Sequence, residues 1–559
     1  SPFVYVQVQL WIRELSPVLR EVSEEPKFVW RETIEEGNDK KALPPWFCRE
    51  CGASGWLGIK HDNKNRFEKD IDATYSKYFK NDKNVYFANL TAWHSLADAA
   101  QVGYEPYDSL QRKVNSNTLE FSTEGGVPIT AFKKLDSKGF NDHYCPECNS
   151  QNTVAIIGTR VATLSSVSVS QTLATDLDAA TEQDRKILAF TNSVQDAAHQ
   201  AGFIESRNYR FTFRSSLQKI INQIDEGASL VALSEQFKSY WKEYADYTGG
   251  EQLDAYYYRF YPKDHIGKTN PELFKKDGKY HKDFIKEFDL RMEWECFSEF
   301  GYNALIGRTL EKTKSSSVYI DPNKLGELYS EMSVWLKQNE ETTIKEDAFI
   351  QFIYLLLYRL RIRGAVSHPF LQKFRTNGLQ LWDLNWQRDN RHFLNPNFHP
   401  RARFPKLITT SKTRNTVVDT TYTEKTNWYH QYYKQNFHFA KNYADFLNEF
   451  YEELFLQLEK IGIVDVTNES MPIYALSPDS LLVSNSLQNY VCSQCQHEMN
   501  VPDSITITES HCTNYRCSGN YTLVEEQKSE NYYRKVYNRR RAPRVYAADH
   551  TGLLPREVR

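Results

Sequence analysis

Residues 186–207, KILAFTNSVQDAAHQAGFIESR, carry the pattern that decides the predicted fold. The apolar run KILAF ends at the polar corner Thr191, Asn192 and Ser193, and small apolar side chains then recur at helical spacing. This order predicts a strand, a tight turn and a helix. Ser193 can cap the helix, with Asp196 as the second half of a capping box. The free N–H groups at such a helix start suit a phosphate, although any α/β strand–helix unit has the same pattern.

The length, net charge and hydrophobic runs of the chain restrict the classes of protein to which it can belong. The chain has 559 residues and a formal net charge of −3, so it is long enough for several domains and has no overall basic character. Its most apolar run, FIQFIYLLLY at residues 349–358, is about half the length that crosses a bilayer, and we expect a buried helix there. No charged-then-apolar leader is readable, so we expect a cytoplasmic protein with no membrane partner.

Eight of the nine cysteines form four close pairs. Without a secretory leader, this spacing favours metal binding over disulfides. The strongest signal is C-x2-C, sixteen residues, C-x4-C, which predicts a compact structural zinc ribbon. Because such a loop buries little apolar surface, we expect it to depend on the metal, and His497 and His511 are adjacent alternative ligands. The predicted ligands are Cys492, Cys495, Cys512 and Cys517.

A second four-cysteine site is predicted from two C-x2-C pairs that lie 93 residues apart. Each pair forms a turn from which two thiolates can converge on one tetrahedral ion, so we expect one zinc ion held by all four. Two unmetallated turns, or a redox pair, are the alternative. With the ribbon, this gives two structural zinc ions. The predicted ligands here are Cys48, Cys51, Cys145 and Cys148.

Basic residues concentrate in two stretches. Residues 359–414 hold twelve lysines and arginines against two aspartates, with tryptophans interleaved. Such a face can bind a nucleic-acid backbone by charge and stack bases on its rings. A solvated face that pairs with acidic neighbours such as Glu449 and Glu452 is the alternative. The second stretch, residues 531–544, is NYYRKVYNRRRAPR; it is either a phosphate-contacting segment or a solvated linker.

Other segments have helical or strand periodicity. We expect a helix over residues 8–22, bent at Pro17, and a long amphipathic helix over residues 442–460 that ends at Gly462. Two strand-like runs follow the second helix, and a helix followed by a hairpin is compatible with a winged-helix module. The tyrosine-rich residues 254–263 are either base-stacking surface or half-buried core.

The string KILAFTNSVQDAAHQAGF resembles the strand and helix that begin the second RecA-like domain of superfamily 2 helicases. It is most similar to large DEAD/DEAH-box helicases with zinc-binding insertions, of the bacterial anti-phage defence type. RVYAADHTGLLPREVR, residues 544–559, resembles the next strand and loop of that domain. Shorter similar strings are VQLWIREL, FCRECGASGW and IRGAVSHP. The resemblance implies that two segments more than three hundred residues apart share one parallel sheet.

The resemblance also implies an ATP-dependent parent protein that moves along nucleic acid, DNA rather than RNA, together with a first RecA-like domain. No G-x-x-x-x-G-K-[ST] loop and no DEAD or DEAH string occurs here, so ATP and Mg²⁺ belong to the full-length parent, and we expect no catalytic residue and no activity in this segment alone. The implied nucleic-acid contacts are Thr191, Asn192, Ser193, Arg539, Arg540, Arg541, His550 and Thr551.

The predicted fold class is therefore α/β: a partial RecA-like domain split by a large, mostly helical insertion, with two small zinc-binding modules. A stand-alone zinc-containing module that binds nucleic acid or protein, without a motor, is the alternative function. The expected divisions are a helical segment at 1–45, a four-cysteine module at 46–150, RecA-like residues 151–205, a helical insertion at 206–345, a basic helical region at 346–490, a zinc ribbon at 491–525, and a return into the RecA-like domain at 526–559.

Overall fold

The described residues form a mixed α/β structure with a first hydrophobic core within residues 22–131, a second and larger one within residues 209–537, and a small third cluster of seven buried residues within residues 294–475. Elements below are numbered in chain order. The structure is a computed structural model, and it describes residues 17–25, 27–33, 41–48, 54–61, 63–80, 82–90, 105–106, 112–122, 124–135, 141–142, 154–156, 165–169, 172, 194–243, 245–248, 251–260, 275–276, 279–280, 282–304, 307–371, 405–413, 418–425, 427–467, 471–495, 497–514, 517–524 and 532–538.

The first core belongs to a mainly antiparallel β-structure with one helix, α1 (Ile71–Phe79), which packs on β5 and β6. The sheet order is β12-β4-β5-β6-β10-β8-β9, with β7 and β11 also on β10, and β2-β1-β3 form a smaller sheet. The strands are β1 (Val18–Glu21), β2 (Phe28–Trp30), β3 (Ala42–Leu43), β4 (Pro45–Cys48), β5 (Ser54–Ile59), β6 (Val85–Asn89), β7 (Glu105–Pro106), β8 (Arg112–Val114), β9 (Phe121–Ser122), β10 (Val127–Leu135), β11 (Asn141–Asp142) and β12 (Val154–Ile156).

The prediction of a helix over residues 8–22 is wrong for the residues that the structure describes, because Val18–Glu21 is a strand. The prediction of a helical segment at 1–45 is wrong for the same described residues. Strand β1 pairs with β2 and β3, and its Arg20 lies 4.3 Å from the Trp56 ring centroid. The Trp56 indole N–H also donates to the Glu21 carbonyl at 3.0 Å. These long-range pairings override the helical spacing, because strand formation depends on cross-strand partners that the local pattern does not contain.

The second core is mainly helical. Its helix α2 begins directly after Ser193, as predicted, and runs without a break through the expected division at residues 205 and 206. The helices are α2 (Val194–Ile221), α3 (Leu230–Lys242), α4 (Ala255–Phe260), α5 (Lys282–Phe300), α6 (Pro322–Gln338), α7 (Glu346–Ile362), α8 (Trp428–Asn436), α9 (Ala444–Lys460) and α10 (Tyr532–Tyr537).

Small sheets join these helices. Strands β13 and β14 form one hairpin, β15 and β16 another, and β17 pairs with β22. A four-stranded sheet has the order β19-β18-β21-β20, and β18 with β19 is the one parallel strand pair in the described part of the chain. These strands are β13 (Ala245–Thr248), β14 (Glu251–Asp254), β15 (Lys275–Lys276), β16 (Lys279–Tyr280), β17 (Ser317–Ile320), β18 (Leu407–Thr409), β19 (Val418–Thr420), β20 (Val464–Thr467), β21 (Ile473–Leu476) and β22 (Leu481–Ser484).

Two predicted helices lie in this core. Helix α9 covers all but the first two residues of the predicted 442–460 helix, and Gly462, at φ +75°, ends it. The predicted hairpin follows as β20 and β21, although both belong to the four-stranded sheet; a winged-helix module stays a prediction. The apolar run forms the centre of buried helix α7. Among the described residues, no helix combines the length and apolar character that a membrane span needs.

The basic residues of 359–414 that the structure describes face other parts of the chain. Arg361 forms two hydrogen bonds with Glu311, at 2.7 and 3.0 Å, and both side chains are 3% exposed. Arg363 binds Asp419 at 2.7 Å; burial raises the pKa of that carboxyl, but Arg363 and Lys406 lower it to about 2. Arg359 and Lys412 also have partners, the Trp428 ring and Glu424. The nucleic-acid interpretation is wrong for Arg361, which is buried with its partner, and it stays a prediction for Lys412, whose side chain is exposed.

The tyrosine-rich segment is core where the structure describes it. Tyr256, Tyr257 and Phe260 are at most 3% exposed, and the Arg259 guanidinium lies 5.2 Å from the Trp241 ring centroid. Buried rings cannot stack on bases, so the base-stacking interpretation is wrong for these side chains.

Replacing Arg361 with Met should lower the free energy of unfolding by about 3–5 kcal/mol, because Glu311 is then left buried without its cation. Urea denaturation followed by circular dichroism measures this loss. The double variant R361M/E311Q should recover much of it. Lys412→Met, which breaks the exposed pair with Glu424, is the control and should change little. A stability of R361M equal to that of the wild type would contradict the importance of the buried pair.

Candidate metal centre

Three antiparallel strands carry the four cysteines predicted as a ribbon. They are β23 (Leu487–Cys492), β24 (Glu498–Pro502) and β25 (Tyr521–Val524), in the order β24-β23-β25. Cys492 ends β23 and Cys495 lies in the turn to β24, whereas Cys512 and Cys517 lie in the loop before β25. Because β25 pairs with β23, Cys492 lies opposite Tyr521, and the two cysteine turns meet at one end of the sheet.

The four sulfur atoms all lie within 4.8 Å of one another. The Sγ atoms of Cys492 and Cys517 are 3.6 Å apart, and so are those of Cys495 and Cys512. A disulfide needs about 2.05 Å, whereas sulfurs about 2.3 Å from one tetrahedral ion lie about 3.8 Å apart. The spacing is therefore that of a metal site with four thiolate ligands.

Polar groups of the same turns point at the sulfurs. The backbone N–H of Gln494 donates to Cys492 Sγ at 3.5 Å, and that of Asn514 donates to Cys512 Sγ at 3.4 Å. The Asn514 side-chain amide also reaches Cys495 Sγ, at 3.4 Å. Such contacts orient ligands and stabilise negative charge on sulfur. Sequence reasoning missed Gln494 and Asn514; their one signal is a position two residues after a cysteine.

The electrostatics of the site favour a bound cation. Hydrogen bonds from the other three thiols lower the pKa of Cys492 far below its usual range. Burial raises the pKa of Cys512 well above its ordinary value, and the hydrogen bond with Cys492 does the same for Cys495. The close thiols therefore favour negative charge at one sulfur and oppose it at two of its neighbours. A divalent metal ion would supply the charge that the remaining thiolates need.

Neither histidine considered as an alternative joins the sulfur cluster. His497 Nδ1 lies 2.9 Å from the Tyr521 hydroxyl, and burial lowers the pKa of this imidazole to about 4. The same hydroxyl is 3.6 Å from Cys512 Sγ. His497 is therefore not a ligand itself; it contacts the Tyr521 hydroxyl, which in turn contacts the ligand Cys512.

The ribbon shares its core with the helical part of the chain. The Trp428 indole N–H donates to the Thr513 carbonyl at 3.0 Å, and the Asn500 amide donates to the Glu311 carbonyl at 2.6 Å. The buried ribbon residues belong to the same hydrophobic cluster as α7, α8 and α9. The expectation that the ribbon buries little apolar surface is therefore wrong, because its buried residues pack in the same cluster as the helices and this burial contributes to its stability.

Of the second predicted site, only Cys48 lies among the described residues. It is fully buried at the end of β4. Cys51, Cys145 and Cys148 lie outside the described residues. The predicted nucleic-acid contacts also lie outside them: Thr191, Asn192, Ser193, Arg539, Arg540, Arg541, His550 and Thr551.

Gly519→Ala should weaken metal retention, because a Cβ at this position would stand 2.6 Å from Cys492 Sγ and 2.7 Å from Gln494 Cβ. The rate at which a chromogenic chelator removes metal from the folded protein measures the effect, and we expect a clear acceleration. Gly202→Ala is the matched control: its Cβ meets nothing within 4 Å, and Ala favours the helix that contains it. Equal release rates in both variants would contradict close packing around Cys492.

No protein-family model matches the chain, no curated protein matches it, and no solved structure matches it. The candidate function therefore has to be argued from the residues and contacts of the chain itself.

Proposed function

We propose that Cys492, Cys495, Cys512 and Cys517 bind a structural zinc ion, in a chain that engages nucleic acid as the central part of an ATP-dependent superfamily 2 helicase or translocase. The observation that carries the zinc proposal is the set of sulfur distances, 3.6 Å for Cys492 to Cys517 and for Cys495 to Cys512, and within 4.8 Å throughout. Thiolates are soft ligands, and four of them in a compact set favour zinc with no open coordination position. The ion would hold structure and perform no chemistry.

A second structural zinc ion at Cys48, Cys51, Cys145 and Cys148 belongs to the same proposal. Strand β12 pairs antiparallel with β4, and Val154 lies opposite Cys48. Cys148 is six residues before Val154, and six residues span at most about 20 Å. The antiparallel pairing supports this site, because the segments that follow Cys48 and precede Val154 leave the same end of the strand pair.

Metal analysis by mass spectrometry should return about two zinc ions per chain. C492S/C512S should remove one of them and leave the other, and C48S/C51S should do the reverse. Cys296→Ser is the matched control, because that cysteine is buried in α5 and is not one of the four that converge in the ribbon. A preparation that retains no zinc or iron in any variant would overturn the metal assignment, and iron in place of zinc would overturn the identity of the ion.

Two features support the helicase proposal, beside the resemblance of the sequence. Helix α2 begins directly after Ser193, where the resemblance requires a helix. Helix α10 then returns to α2: the Ser215 hydroxyl donates to the Val536 carbonyl at 3.4 Å across 321 residues, and Asn222 contacts Asn538. These contacts place residues 532–538 beside residues 215–222, so a segment that follows the ribbon in sequence packs on the C-terminal half of α2.

In this proposal, Thr191, Asn192 and Ser193 would contact the nucleic-acid backbone together with His550 and Thr551, near the three arginines of residues 539–541. ATP and Mg²⁺ would bind the parent protein, with the first RecA-like domain as a partner. A stand-alone zinc-containing interaction module is the second candidate. The reading frame beyond both ends of this segment separates them: a Walker A loop and a DEAH motif upstream support the helicase, and stop codons on both sides support the module.

Replacing Arg539, Arg540 and Arg541 with Ala should weaken DNA binding and reduce its salt dependence, with a log–log slope smaller by about 1 for each lost phosphate contact. Fluorescence anisotropy over a series of salt concentrations measures both quantities. Lys324, Lys337 and Lys460, changed to Ala, remove three positive charges from α6 and α9 and are the control. The same affinity and slope in both variants would exclude the arginine cluster as a contact.

A further inference from the structure

A polar cavity of about 290 Å³ lies beside the ribbon and is separate from the four sulfur atoms. It is bordered by the loop at residues 307–313, by strand β24 and by helix α10. Its charged and polar lining residues include Arg308, Glu311, Lys312, Glu498, Asn500 and Tyr533, and Tyr358 of α7 also borders it. Four distant parts of the chain therefore meet there, and of the two predicted basic stretches only residues 531–544 contribute to it, through Tyr533.

Arg308 is positioned by aromatic groups and not by an acid. Its guanidinium carbon lies 4.1 Å from the Tyr533 ring centroid, and its Nη1 donates to the Tyr533 hydroxyl. The Tyr537 hydroxyl donates to the Arg308 carbonyl at 2.6 Å, which fixes the backbone. Within the described part of the chain, no carboxylate lies within 4 Å of this guanidinium. The side chain is thus held in place while its positive charge stays available to a ligand.

The surrounding charges are unevenly distributed. Arg308 and Lys312 bring two positive charges to the cavity, and of the two carboxylates there, Glu311 is already neutralised by Arg361. Glu498 is the one remaining negative group of the lining. Burial lowers the pKa of Arg207 on α2, and the nearby charge of Arg308 acts in the same direction, against an opposing effect of Tyr533.

One polar atom at the cavity also lacks a partner. Asn500 is 7% exposed, and its amide nitrogen donates to the Glu311 carbonyl. Its Oδ1 is buried and accepts no hydrogen bond among the described residues. A buried acceptor without a donor is costly, and a bound molecule or an ordered water that reaches it removes this cost.

We propose that this cavity binds a phosphodiester of single-stranded nucleic acid, with Arg308 and Lys312 as the phosphate-binding residues and Tyr532 as a stacking surface for the neighbouring base. Tyr532 is 42% exposed on α10, and Arg534 and Lys535 follow it on the same helix. A charged groove beside an exposed ring is the usual arrangement for binding a single strand. The volume lies at the lower limit for a small-molecule pocket, which favours one phosphate group of a longer chain over a whole nucleotide.

The inference rests on the proposed engagement of nucleic acid, and the double variant R308Q/K312Q tests it. The probe is a fluorescein-labelled oligothymidine of about 20 nucleotides, bound by the full chain and followed by anisotropy. We expect about tenfold weaker binding, since charged hydrogen bonds to phosphate are lost, and a salt slope smaller by about 1–2. Tyr532→Ala should weaken binding without changing the salt slope, because stacking carries no charge.

The control K337Q/K460Q removes two positive charges from α6 and α9, which contribute no residue to the cavity lining. Zinc content and urea denaturation verify that each variant is folded. Equal affinity of R308Q/K312Q and the wild type, or an equal loss in the control, would overturn the cavity assignment while leaving the proposed function intact. A wild type that does not bind the oligonucleotide but does bind inorganic phosphate or AMP, as measured by calorimetry, would overturn the strand as occupant and the proposed function with it.

Discussion

Helix α7 is apolar around most of its circumference, so every side of it has to be covered by other parts of the chain. Ten of its residues are buried. Helices α6 and α8 and strand β21 pack against it, and Gln351 contacts Ser510 of the ribbon. The requirement to exclude water from this one helix draws together segments that are more than a hundred residues apart. The ribbon and the helices around α7 therefore form one core and not two independent modules.

The stability of the ribbon thus has two sources that act in different places. Apolar residues of its strands join the α7 core, and hydrogen bonds to Trp428 and Glu311 fix its orientation. At the far end, the two cysteine turns meet through four sulfur atoms. In our proposal zinc stabilises that end, while burial stabilises the rest. Gly519 makes the close approach of the two turns sterically allowed.

Positive charge has different roles in different parts of the chain. The arginines of α7 and of the segment after it pair with Glu311 and Asp419, which lie 50 and 56 residues away in sequence. Arg308 has no acidic partner in the described ranges and is positioned by Tyr533. The density of basic residues in the sequence therefore indicated a nucleic-acid role for Arg361 and Arg363, which pair with acids, and gave no signal for Arg308. What distinguishes a structural arginine from a ligand-binding one is the group that it contacts, and that group is distant in sequence.

Features that depend on neighbouring residues were predictable before folding was known. The spacing of Cys492, Cys495, Cys512 and Cys517 predicted their convergence, helical periodicity predicted α9, and the polar corner before Val194 predicted the start of α2. Three features became visible only in the folded chain: Val18–Glu21 is a strand, Arg361 is buried with Glu311, and a cavity forms between β24 and α10. The physical reason is that each of these depends on partners brought close by folding, and their contact energies exceed the local preferences that a sequence pattern records.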